Sequence, residues 1–94
     1  MNASPVPDGV WEADSAEVGT VRLASPVLTV AGQAATLDGT AEVGLLALDD
    51  QADCIVQAGG MRWHFPGRVT SLTPGVMDTA RVESTGPIEA EAIA

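Results

Sequence analysis

The stretch Ala58-Gly59-Gly60-Met61-Arg62-Trp63-His64-Phe65 decides how this chain is read. Met61, Trp63 and Phe65 alternate with Arg62 and His64, so an extended backbone puts three bulky apolar side chains on one face and two polar ones on the other. The glycine pair tolerates positive φ and suits a tight hairpin turn, with residues 53–57 as the preceding strand. Downstream, Pro66-Gly67 is expected to bend the chain before residues 68–72 resume an extended course, which Thr73-Pro74-Gly75 then ends. Upstream, Asp49-Asp50-Gln51 closes residues 40–48, the longest apolar stretch. Val43, Leu45 and Ala47 would fall on one face of that stretch and Gly44, Leu46 and Leu48 on the other, which predicts a central strand covered on both sides. Asp38-Gly39 has the composition of a two-residue hairpin turn, and it is expected to separate residues 40–48 from a strand over 34–37. Gly32-Gln33 predicts a further turn, with 27–31 as the strand before it, Ser25-Pro26 as a break, and 18–24 as an alternating strand.

The fold class that follows is all-β: a small β-sandwich or partly closed β-barrel with an extended N-terminal arm and at most one short helix, at residues 76–82 or in the tail. Residues 18–88 form a single β domain, residues 1–17 the arm and residues 89–94 a C-terminal tail. The arm holds Pro5, Pro7, Gly9 and the carboxylates Asp8, Glu12, Asp14 and Glu17, which favour an extended course. Trp11 stands out in it, because a large amphipathic ring left in water forgoes about 2 to 3 kcal/mol of burial. A pocket on a neighbouring subunit is its expected seat.

With 94 residues the chain is one domain of modest core, and its 46% hydrophobic content excludes a disordered polymer. Four Arg and no Lys against thirteen Asp and Glu give a net charge of 4 − 13 = −9, which repels phosphate backbones and anionic membrane surfaces. Neither sequence-specific nucleic-acid binding nor membrane association is expected. The single Cys54 makes no intrachain disulfide, no apolar run reaches the roughly 18 residues of a membrane span, and the start lacks a signal-peptide pattern. Synthesis in a reducing cytoplasm is consistent with this.

Catalytic chemistry finds little to work with. A Ser or Cys nucleophile would need His64 as its base, and His64 stands on a strand facing the same way as Arg62, as an imidazole on the polar face of a hairpin. Asp49, Asp50 and Asp53 lack the alternating spacing and distal Glu of a calcium loop and are expected to make a solvated turn. Gly59-Gly60 lacks the Lys and helix of a phosphate loop, and Cys54 in an apolar strand reads as a small core residue. No enzyme activity, metal or cofactor is expected. The thin aromatic content and unguarded strand edges instead predict that the subunit is completed by neighbours, with Trp11, Val10, Arg62, His64 and Arg68 as the interface candidates.

From Phe65 the sequence runs Gly67-Arg68-Val69-Thr70-Ser71-Leu72, Pro74-Gly75, Asp78, Ala80, Val82 and Thr85-Gly86-Pro87-Ile88. This segment resembles the closing part of tail tube proteins of long-tailed bacteriophages: an aromatic strand into a V-T-S-L-like strand, a Pro/Gly turn, an acidic residue, and a last strand ending in a Gly-containing turn. A weaker similarity, from Leu37-Asp38-Gly39-Thr40 to Val43-Gly44-Leu45-Leu46-Ala47, is to head-decoration proteins of the lambda type. The resemblances imply a structural virion protein made in the host cytoplasm. Its partners would be copies of itself and other tail, neck or capsid subunits. Tail tube or neck is the first expectation, head decoration the second, and a small acidic monomeric binding or inhibitor module the contrasting one.

Overall fold

The computed structural model describes residues 6–93; residues 1–5 of the expected arm and Ala94 of the tail lie outside it. The described chain forms nine strands: β1 (Gly9–Glu12), β2 (Ser15–Val18), β3 (Val21–Arg22), β4 (Ala24–Ala31), β5 (Ala34–Ala41), β6 (Gln51–Ala58), β7 (Met61–Thr73), β8 (Asp78–Ser84) and β9 (Glu89–Ala92). All pair antiparallel in one sheet of order β1-β4-β5-β8-β7-β6-β2-β3, with β9 added to β7. That sheet curls strongly on itself into a half-barrel, an all-β architecture of the small barrel or sandwich kind.

β7 is the spine. Thirteen residues at about 3.3 Å each nearly span the 44 Å long dimension of the molecule. Its first half lies between β6 and β9, and its second half pairs with β8. The expected bend at Pro66-Gly67 does not occur. Thr85 N donates to the Pro66 carbonyl at 2.8 Å, and the chain between β8 and β9 leaves the ladder there, so the missing Pro66 N–H faces a gap with no strand to receive it. Gly67 keeps the alternation going for a different reason: a Cβ there would stand 2.8 Å from both Cys54 Sγ and Val82 Cγ1.

Trp63, Phe65, Leu28, Leu37, Val56, Val69 and Val82 fill the inside of the curl, all with less than 2% exposure. Trp63 Nε1 donates to the Ala58 carbonyl at 3.0 Å, so the one polar atom of the central ring is satisfied within its own hairpin. The Met61, Trp63 and Phe65 stripe is the core face of its strand.

From Gly9 on, the expected N-terminal arm belongs to the sheet instead. β1 pairs with β4 and β2 with β6, and between them Ala13 N donates to Pro26 O at 2.9 Å while Asp14 N donates to Gln57 O at 2.7 Å. Residues 9–18 thus stitch together two strands that stand far apart in the sheet order. Alternation explains why this acidic segment folds. Trp11, Ala16 and Val18 turn inward, while Val10 and Glu12 stay outside and Glu17 is half-buried between Ala16 and Val18.

Further expectations give way. Asp38-Gly39 lies inside β5, where Asp38 faces out to Arg81 and a Cβ on Gly39 would stand 3.0 Å from Leu23 Cβ; the glycine serves close packing and not a turn. Residues 42–50 form a loop in place of a central strand, because β5 already supplies the covered strand through Ala41 and Gly44 turns at φ +87°. The tail is β9, whose Glu89 and Glu91 stand opposite His64 and Arg62. Residues 18–24 are split by a turn at Gly19 (φ +61°), and Ser25-Pro26 is a bulge within β4 and not a break.

Candidate functional site

The five interface candidates separate on inspection. Trp11 is seated on its own molecule: its ring lies 5.0 Å from that of Trp63 at 45°. A Cβ on Gly9 would stand 2.8 Å from its Cη2, and one on Gly59 2.7 Å from its Nε1. Two glycines therefore clear the floor for this ring, and the intersubunit seat expected for it is replaced by an intramolecular one. Val10, on the outer side of the edge strand β1, is 68% exposed.

The three polar candidates face carboxylates of their own sheet. Arg62 stands opposite Glu91 with its guanidinium 3.9 Å from the carboxylate, His64 opposite Glu89, and Arg68 opposite Glu83. The remaining cations follow the same rule. Arg81 donates to Asp38 at 2.9 Å and Arg22 is registered against Glu17. The guanidinium of Arg81 is held further toward its charged form, first by the hydrogen bond it donates to Asp38 and then by that carboxylate's charge. Every arginine in the chain thus has a cross-strand acid, each pair worth little alone at an exposed site. The net charge of −9 is carried by Asp8, Glu12, Asp14, Glu42, Asp49, Asp50, Asp53, Asp78 and Glu89.

Ile55, Arg62, His64, Glu89, Ala90 and Glu91 line an open groove of about 270 Å³ on the outside of β6, β7 and β9. Its polar groups are already opposed in pairs, and it holds no buried nucleophile. Cys54 lies on the other side of the sheet, fully buried under Gly67. Burial first, and the Asp53 charge second, push its thiol up to about 12, which keeps it protonated and inert. Among the described residues no group of three His, Cys, Asp or Glu is arranged to hold a metal ion. Asp50 caps its own turn, its carboxylate accepting from Ala47 N at 2.9 Å.

The feature that sequence reasoning missed is an apolar end. Val43, Leu45 and Leu48 on the 42–50 loop are 52 to 57% exposed, Val76 on the β7–β8 turn is 101% exposed and Met77 40%. The two segments are adjacent: Ala41 pairs with Asp78, and the buried Asp78 carboxylate accepts from Gly44 N at 3.2 Å. Of this loop's apolar residues Leu46 alone turns inward, to 6% exposure. The signal for the loop was present in Gly44, which interrupts the apolar run where a strand would need a side chain to pack.

Compared with models of known families, with curated proteins and with solved structures, the chain matches none.

Proposed function

We propose that this chain is a structural subunit of a tailed bacteriophage or phage-like particle, a tail tube or neck component with no chemistry of its own. The observation that carries this reading is the apolar end. Soluble single molecules rarely leave several large aliphatic side chains grouped in water, and such groups mark contact surfaces. Val76 and Met77 lie within the segment from Phe65 to Ile88 that resembles tail tube proteins, so the uncovered tip and the resemblance fall on the same hairpin. Lateral contacts with other copies have open backbone to use, since β1 pairs with β4 alone and β9 with β7 alone. A strongly acidic surface also suits a conduit for nucleic acid, which it repels.

On the head-decoration reading, a free N-terminal arm would dock on the capsid lattice and add a strand to a shell subunit's sheet. Residues 9–18 are tied into the subunit's own sheet, which leaves that reading only the similarity over Leu37 to Ala47.

Size-exclusion chromatography with light scattering, followed by negative-stain imaging over a salt series, tests the proposal. Copies carrying −9 repel one another, so rings or tubes are expected to form more readily as salt screens that charge. A monomer at every salt and protein concentration, joining no particle, would refute it.

A further inference from the structure

We propose that the apolar end formed by Val43, Leu45, Leu48, Val76 and Met77 docks a different protein, one whose own apolar contact is bordered by Lys or Arg, and not a second copy of this chain. The surface is preformed. Besides the Gly44 to Asp78 hydrogen bond, Asp49 N donates to Val69 O at 2.8 Å, Val69 N to Asp50 O at 2.9 Å, and Leu46 plugs the loop into the core. A contact held this firmly loses little freedom when it is covered.

Charge decides the occupant. Glu42, Asp49 and Asp50 are exposed around the patch, and each arginine of the chain already stands opposite a carboxylate of its own sheet. Two copies meeting end to end would press two such acidic rims together as their surroundings dried. A basic-rimmed partner turns the same rim into an attraction that steers encounter. The inference goes beyond the particle reading and holds whether or not the chain forms rings.

Two labelled amphipathic peptides with identical Leu positions, one carrying Lys at its polar positions and the other Glu, provide the probe, read by fluorescence anisotropy against the full chain. The Leu/Lys peptide is expected to bind and the Leu/Glu peptide not. Binding should weaken at least tenfold in Val43→Ser/Val76→Ser and severalfold in Glu42→Gln/Asp49→Asn, the Asn keeping the positive φ of position 49. It should hold in Asp14→Asn/Glu89→Gln, which removes equal charge elsewhere. Equal weakening by that control, equal binding of the Leu/Glu peptide, or self-association in sedimentation that Val43→Ser/Val76→Ser abolishes would each overturn the proposal. Ring formation is scored separately by imaging, so failure here and failure of the particle reading remain distinct.

Discussion

The β6–β7 turn and the loops at Val43 and Val76 treat apolar side chains in opposite ways. At the turn, Trp11 from the N-terminal strand closes over Trp63, and two glycines are kept bare to admit it. At the loops, five large aliphatic side chains stay in water although Leu46 beside them is buried. A chain with only three aromatic residues has put both tryptophans into sealing itself, and has left its aliphatic surplus outside. On the reading proposed above, a neighbour would cover one end and not finish the core.

The contrast can be broken first at the sealed turn. Trp63→Ala is expected to cost about 3 to 5 kcal/mol, most of the stability of so small a domain, and to leave it largely unfolded in circular dichroism. Trp11→Ala should cost about 2 kcal/mol, measured as a lower denaturation midpoint of the monomer with loss of the near-ultraviolet signal of the ring pair. Gly59→Ala, which adds a Cβ 2.7 Å from Trp11 Nε1 at a backbone φ of +61°, should destabilise by about 1 to 3 kcal/mol through the same ring. If any of these leaves the isolated subunit's stability untouched, the turn is not sealed by Trp11.

Cys54 sharpens the comparison through pH. Its folded value is raised from 9.0 to about 12, so below pH 9 both states keep the proton and its contribution to stability is fully present. As pH climbs from 9 toward 12 the unfolded thiol ionises and the folded one does not, so stability falls; Cys54→Ala should flatten that part of the curve. In the native state a thiol reagent should modify Cys54 only as fast as the molecule opens. At the exposed end the smallest effect is expected. Val43→Ser/Val76→Ser should shift stability by no more than about 0.5 kcal/mol, because both side chains are largely exposed in the subunit.

Much of the sheet was legible because local chemistry and tertiary partners agree. Gly32-Gln33 and Gly59-Gly60 read as turns and are turns, each residue at positive φ. Asp38-Gly39 carries an equally strong turn signature and lies in a strand, since its role is set by Leu23 packing where a Cβ would be and by Arg81 across the ladder. Neither partner is visible in the neighbouring sequence. The same holds for residues 42–50, whose apolar run resembles a strand until Ala41 is seen to complete β5. Composition misled at the N-terminus, where prolines and carboxylates suggested a free arm while the alternation of Trp11, Ala16 and Val18 already encoded a strand pair. The inertness of Cys54 and the solvated turn at Asp50 were readable, because each follows from immediate surroundings. Arg62, His64 and Arg68 read as interface residues on a polar face, and all three are exposed, but the carboxylates opposite them were not legible. Their acidic partners Glu91, Glu89 and Glu83 lie on strands that only the topology brings alongside.

Residue-resolved amide hydrogen exchange on the dilute monomer compares the sealed and open regions in a single measurement. Strands β1 and β2 should show protection approaching that of the β6–β7 hairpin, while the amides of Val43, Leu45 and Leu48, apart from the ladder, exchange quickly. Exchange across residues 9–18 as rapid as in that loop would contradict the closure of the fold by its own N-terminal strands.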